Sequence, residues 1–384
     1  MITGARPRLA NHWDVIVFGA GPAGSALAHN LAAHHRVLLL ERNLAVNPQS
    51  LPEGWRIGES LPGAAAVLLR QQGLLDRFLA DGHTLRGASV SVWEGGNPVW
   101  FDGLRDPNGP GWHLDRVRFD AMLRNAARDE GVVFSAVGGG VRLLRAGAQW
   151  QVNDDRGGRQ YTASVVVDAT GRSAACCRAL GLRRRAQDRL VCVHALLAPK
   201  VHDQDRCTRI CADVDGWWYS VRVPSGQRVL AYHLDAKDPA LRGLRNAQAL
   251  LLQARHLPVL ASVLPDRVAS GTAQVRPAGS VFLDIADGGP RSGFYAVGDA
   301  VLAFDPLSSQ GLFHALASAQ SAAAAIADEL EGDRRAGQRY FAQMRDVQAR
   351  YREQLAVTYA RPAHYGGRPF WAQRRREGDW MTVA

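Results

Sequence analysis

Lysine is nearly missing from this sequence. Two residues, Lys200 and Lys237, stand against 44 arginines in a chain of 384 residues with a formal net charge of +10. That bias reflects the coding genome as much as a binding surface. No basic motif interleaved with aromatics accompanies it, so nucleic acid is not expected as a partner. Cysteine is scarce too: five residues without framework spacing fit a reduced compartment. Cys207 and Cys211 lie four apart with His202 nearby, but no second pair completes a ligand set, and no metal is expected. The N-terminal MITGARPRLANHW has no apolar h-region and no run of about 18 apolar residues is found, so the chain reads as cytoplasmic, with no membrane partner. A second glycine-rich dinucleotide motif, a dedicated nicotinamide domain and internal repeats are also missing.

What is present is globular: 47% hydrophobic and 21% charged residues, with length for one large domain or two intimate ones. The first informative segment is DVIVFGAGPAGSALAHNLAAHHRVLLLER. DVIVF (14–18) and RVLLL (36–40) read as buried strands, with a small-residue helix to about Ala33 between them. GAGPAG supplies Gly19, Gly21 and Gly24 at G-x-G-x-x-G spacing, with Ala20, Pro22 and Ala23 between. These glycines permit a tight turn, close approach of backbone to a pyrophosphate, and close packing of helix on strand. The helix N-terminus adds free N–H groups and a positive dipole end. Glu41, followed by Arg42, ends the second strand where an acid accepts from ribose hydroxyls, which favours FAD or NAD over NADP.

Three later segments bear on that choice. LDRVRFDAMLRNAARDEGVVF (114–134) reads as a helix opening with Arg116. ASVVVDATGRSAACCRALG (163–181) is a strand running into Asp168 and Gly171, then a helix. FYAVGDAVLAFDPLSSQGLFHAL (294–316) carries Gly298-Asp299 in an apolar run, then Asp305 and Pro306. In this order the segments resemble FAD-dependent aromatic monooxygenases of the p-hydroxybenzoate hydroxylase type. The resemblance implies that Arg116, Asp168, Gly171, Gly298 and Asp299 belong to the FAD site, with Asp299 on the ribityl chain. It adds a loop at the flavin's pyrimidine edge made by Pro306, Ser309, Gln310, Gly311 and Leu312. Family members often carry glycine where Ser309 stands. Asp305, followed by proline and serines, suits a helix cap.

A closer likeness is to the halogenase-like branch, through RIGESLPGAA (56–65), whose Glu59 and Ser60 are then placed beside the flavin. Halogenases of that branch carry a lysine shortly after this loop. HTLRGASV (83–90) offers only Arg86, which stays protonated where a lysine amine is tunable, so halogenation is disfavoured. GWWYSVRVPSG (216–226), DPLSSQG (305–311) and PFWAQRR (369–375) resemble flavoproteins that mature tryptophylquinone enzymes. The implied function is hydroxylation of an aromatic ring through a C4a-(hydro)peroxyflavin, the ring being a tryptophan in a partner polypeptide. Non-covalent FAD, dioxygen, and NADH, NADPH or an external reductase are the implied reactants. An acidic or tryptophan-containing peptide is the implied partner. A small-molecule hydroxylase or epoxidase, and a geranylgeranyl-reductase-like enzyme that does not activate oxygen, remain alternatives.

The expected fold is α/β: a Rossmann-type FAD-binding domain (1–87, 113–187 and 275–330), an inserted mainly antiparallel β-sheet substrate domain (88–112 and 188–274), and a C-terminal helical, basic tail (331–384). In the insertions, ASVSVWEGGNPVWF reads as two strands around a turn, and LVCVHALLAP, GWWYSVRVP and RVLAYHLDA as three more. Trp217 and Tyr219 share one face of a strand, and Trp218 the other. Trp217, Trp218 and Tyr219 are candidates for an aromatic substrate wall, against plain core packing. His194 and His233, mid-strand in apolar surroundings, are candidates for acid–base work, as are Glu59 and Ser60. Tyr340, Met344, Val347 and Tyr351 form a core-facing stripe on a helix over 334–360.

Overall fold

The chain is seen here in a computed structural model that describes residues 12–42, 57–138, 141–154, 158–285, 290, 292–375 and 381–383. Residues 1–11 and Arg56, quoted in the motifs above, lie outside these residues. The β-branched run Val15-Ile16-Val17 is wholly buried, and a strand buried on both faces belongs at the centre of a parallel sheet. Accordingly His12–Phe18 runs between Val37–Glu41 and Gln160–Asp168, parallel to both. The sheet has seven strands in the order Val133–Ala136, Val37–Glu41, His12–Phe18, Gln160–Asp168, Gln149–Asp154, Val141–Ala146, with Phe294–Ala296 pairing parallel to Gln160–Asp168.

Register decides what meets at its carboxyl end. Phe18 pairs with Asp168, and Asp168 with Ala296. The glycine turn, the Ala169-Thr170-Gly171 turn and Gly298-Asp299 therefore leave the sheet side by side, although up to 280 residues separate them in sequence. Ligands of open α/β sheets bind outside such strand ends.

Helix Pro22–Ala32 begins with proline in its first turn, where no N–H is missed. The helix expected over 114–134 is Arg116–Asp129, opened by Asp115, whose carboxylate accepts from the Val117 and Arg118 N–H groups. It stops short because Gly131 turns the chain at φ +90°. The β-prone Val133–Ala136 that follows becomes a strand beside Val37–Glu41.

A second seven-stranded sheet, antiparallel at all but one pairing, runs in the order Gln274–Pro277, Leu190–Leu197, Arg228–Asp235, Gly216–Arg222, Thr208–Asp213, Ala88–Val92, Val99–Asp102. The five strands expected in the insertions are among these. Thr208–Asp213 was not anticipated, since its sequence drew notice only for cysteines; Cys211 is a buried side chain in that strand. Three short helices within 241–261 were also missed.

Helix Gly311–Leu330 packs along Pro22–Ala32, and helix Ala336–Ala360 packs back on Gly311–Leu330. Tyr340, Met344 and Tyr351 are buried, as their stripe implies, with Val347 packed beside them. Helix Pro369–Arg375 docks on the body: Trp371 is fully buried with its indole N–H donated to the Asp213 carbonyl at 3.0 Å. Arg374 is buried too, paired with Asp188 at 2.7 Å and lying over the Phe370 ring. No helix among the described residues is long and apolar enough to cross a membrane.

Candidate active site

A cavity of about 600 Å³ opens where the two sheets face each other, at the carboxyl ends of the parallel strands. Its walls explain the glycines. Gly19 has φ +103°, and a Cβ there would stand 2.4 Å from the Ala169 carbonyl oxygen. Gly24 lets the helix close on the strand, since its Cβ would meet the Gly19 carbonyl at 1.9 Å. Gly21 faces open space on the cavity wall, where backbone can be approached. The Glu41 carboxylate accepts the Ala20 N–H at 2.8 Å, binding the turn to the end of the second strand. Pro22, Ala23, Glu41 and Arg42 also line the wall; Ala20 and Gly24 stand behind it.

Arg116 reaches across to the loop 57–60. It donates to the carbonyls of Ile57 (3.1 Å) and Gly58 (2.9 Å), and Asp120 pairs with it at 3.1 Å. The loop so pinned carries Glu59, which is buried with neither carboxyl oxygen in a well-formed hydrogen bond among the described residues. Burial pushes its pKa up to about 7, against weaker pulls from backbone N–H groups, Arg116 and the Tyr219 hydroxyl.

Asp299 faces the cavity with its carboxylate 3.6 Å from Arg172. Burial raises its pKa, and Arg172, Arg184 and Arg116 oppose the rise. Arg172 is itself fixed by the carbonyls of Gly279 (2.6 Å), Phe304 (2.7 Å) and Ala278 (3.4 Å). Gly298, at φ +57°, lets this turn lie on Ala23, whose Cβ would be 2.8 Å from any added one. Asp168 does not reach the wall. Its carboxylate accepts from the Thr170 N–H and hydroxyl and from the Cys177 N–H, so it builds the turn that presents Gly171 and Arg172.

The loop 305–311 forms another wall. Asp305 caps the short turn Pro306–Ser308 through the Leu307 N–H at 2.9 Å, as its proline and serines imply. Its other oxygen accepts from the Tyr359 hydroxyl at 2.7 Å, and its own N–H donates to the Tyr351 hydroxyl at 2.7 Å. Burial raises the Asp305 pKa to about 6. Ser309 sits at φ +51°, in the left-handed region, and lines the cavity with Pro306, Gly311 and Leu312. Gln310 is exposed ahead of the helix and off the wall.

The second sheet closes the cavity with Cys192, Tyr219, His233 and Arg276. Ser60 and Tyr219 share a hydroxyl–hydroxyl hydrogen bond of 3.0 Å. His233 stacks flat on Trp217 (3.6 Å between centroids, 7° between planes), and neither ring nitrogen has a well-formed hydrogen bond. Burial lowers its pKa to about 3, so it is neutral at physiological pH. Trp217 lies behind His233, its N–H donated to the Tyr359 hydroxyl at 3.1 Å. Trp218 leaves the candidate list: it packs in a separate core, stacked on Tyr232 on the opposite face. His194 is buried off the wall, with burial lowering its pKa to about 4. Of the aromatic wall expected at 217–219, only Tyr219 touches the cavity.

Arg172, Arg276, Tyr351 and Tyr359 escaped the sequence reading. Arg172 had a signal, an arginine directly after the Asp168–Gly171 turn. Tyr351 had only its place in the core stripe and Tyr359 none, because their hydroxyls find Asp305 only through packing.

These residues fit a flavin dinucleotide. The cavity is within the range that holds organic cofactors. Its wall joins a glycine turn free of Cβ at Gly21, a helix N-terminus, and an Asp299 carboxylate without a hydrogen-bonded donor among the described residues.

Comparison with known proteins agrees with this geometry. The sequence profile described as tryptophan halogenase matches residues 104–382. The chain is 27% identical, over 94% of its length and 96% of the relative's, to "Putative FAD-dependent oxidoreductase LodB" of Marinomonas mediterranea. Among solved structures, CmlS, a flavin-dependent halogenase, matches with TM-score 0.80 at 23% identity, covering 97% of this chain and 69% of that one. QhpG, a peptidyl tryptophan dihydroxylase essential for tryptophylquinone cofactor biogenesis, matches with TM-score 0.75 at 23% identity, covering 96% and 80%. At such identity both structures speak for the fold.

Proposed function

Since this chain belongs to the tryptophan halogenase family of FAD-dependent oxidoreductases, we propose that it hydroxylates an aromatic ring, the indole of a tryptophan held in a polypeptide. The observation that carries this reading is the make-up of the cavity wall. The halogenase-like branch calls for a lysine amine after the Glu59 loop, and this wall carries none. The chain's two lysines stand exposed in turns, Lys200 with its Nζ on the Ser262 carbonyl. The likeness to LodB and QhpG supports a polypeptide substrate.

FAD held at this site would supply the oxygen-activating chemistry, with electrons from NADH, NADPH or an external reductase in the cytoplasm. We assign its holding to Gly19, Gly21, Glu41, Arg116, Gly171, Gly298, Asp299 and the loop Pro306–Leu312. The positive end of helix Gly311–Leu330 favours negative charge beside that loop. Tyr219, fixed by Ser60, orients the ring that enters the cavity. His233, neutral and backed by Trp217, offers a flat apolar surface and a nitrogen for an indole N–H. The body helices and the second sheet enclose the ring and keep water from the reacting atoms.

Halogenation is the second reading, and the comparisons support it no less: the matching profile is that of halogenases, and CmlS is one. The two part in a single experiment. Reduced, FAD-loaded protein is given a tryptophan-containing polypeptide, air, chloride and bromide, and the product is weighed. We expect added oxygen without halogen; halogen on the ring would overturn the hydroxylase reading.

A further inference from the structure

The strand Val99–Asp102 ends the second sheet, and all four of its residues are exposed. Val99 (65%) and Phe101 (52%) project from one face of the strand and Trp100 (61%) from the other, so the edge is apolar on both faces. Only one side of the strand is used. Its register with Ala88–Val92 runs from Ala88↔Asp102 to Ser91↔Val99, and no backbone partner meets the outer side among the described residues. Edge strands are normally blunted by lysine, an internal proline or a bulge. This one has none of these within it, and Asp102 is its sole charge.

The size of the patch selects its occupant. Three apolar side chains, split between two faces, present about 350 Å², short of the roughly 800 Å² per partner that two folded copies need for a stable interface. A single extended segment needs less, because main-chain bonds to the free edge supply part of its affinity. Position points the same way. The edge belongs to the sheet whose Gly216–Arg222 strand puts Tyr219 on the cavity wall, with Thr208–Asp213 and Ala88–Val92 between. A strand added outside Val99–Asp102 would lie four spacings from Gly216–Arg222, about 19 Å, which about six extended residues can cross.

We propose that the outer edge of Val99–Asp102 docks an extended segment of the polypeptide substrate by strand addition, about six residues from the reacting tryptophan. This rests on the reading that the substrate is a polypeptide.

Strand addition tolerates sequence, so a synthetic peptide tests it: an alternating Thr/Val segment, a six-residue Gly/Ser spacer and one tryptophan, with a control carrying proline in the segment. Binding to the FAD-loaded full chain is read by fluorescence anisotropy and by amide hydrogen exchange, without turnover. We expect binding about tenfold tighter than the control's, exchange slowed at Val99–Asp102, and about tenfold weaker binding by Trp100→Glu with FAD content unchanged. Equal binding of the two peptides, or protection confined to other strands, would overturn the proposal. So would a concentration-dependent dimer that Trp100→Glu dissolves, since a second copy would then own the edge. In a parallel incubation with reductant and air, a docked peptide whose tryptophan gains no oxygen would instead sink the hydroxylase reading and leave the edge assignment standing.

Discussion

Ser309 holds a backbone conformation that costs a side-chain-bearing residue roughly 1–2 kcal/mol, and it does so on the wall of the cavity at φ +51°. Glycine there would relieve the strain but lose more chain entropy on folding, about 0.5–1 kcal/mol. The strain relieved exceeds the entropy lost. We therefore expect Ser309→Gly to stabilise the protein by about 0.5–1 kcal/mol in denaturant titration. Asp299 carries a different expectation. Arg172 keeps its three carbonyl partners without it, so Asp299→Ala should fold yet retain about tenfold less FAD through desalting, read from the ratio of flavin to protein absorbance. Flavin content equal to the parent's would refute the assignment. Glu59 adds a pH signature. Its folded pKa is raised to about 7 from 4.5, so its contribution to stability is complete below about pH 4.5 and is lost as pH rises through 7. Glu59→Gln removes this loss. Relative to the parent, the variant should gain up to about 3 kcal/mol between pH 5 and pH 8, and a parallel pair of stability curves would contradict it.

At the level of elements, what could be read from sequence was what local periodicity and spacing encode. The G-x-G-x-x-G turn lies where its strand and helix predict, because glycine spacing and a buried β-branched run act within a few residues. Strand Val133–Ala136 was hidden inside an apparent helix, since only Gly131 signals the break. Thr208–Asp213 went unseen because Arg, Cys and Asp dilute its apolar residues. Tyr359 shows the larger limit. On its helix it is one more aromatic, and in the fold its hydroxyl joins Trp217 of one sheet to Asp305 of the cavity loop. Tyr359→Phe leaves the Asp305 carboxylate with one donor fewer in a buried place, so about 1–3 kcal/mol of stability should be lost on unfolding titration. An unchanged midpoint would show that this bridge contributes nothing.

For the whole molecule, the chain order and the working site differ by as much as they can. Residues 19, 21–23, 57–60, 116, 171–172, 219, 233, 298–299, 304–306, 309 and 311–312 all reach one cavity, and parallel pairing, with Asp168 beside both Phe18 and Ala296, makes that convergence. That the glycine turn, Arg116 and Gly298-Asp299 meet on one wall was legible because their motifs have fixed spacing. The substrate side was not, because Tyr219, His233 and Arg276 come from three strands of the second sheet whose facing only the folded sheets decide. The reaction is accordingly the claim most worth testing. FAD-loaded protein, a reductant and a tryptophan-containing polypeptide are incubated under isotopically heavy dioxygen, and the peptide is sequenced by tandem mass spectrometry. We expect one or two heavy oxygen atoms on the tryptophan ring. Active, flavin-loaded protein that consumes reductant yet leaves the tryptophan unlabelled would contradict it.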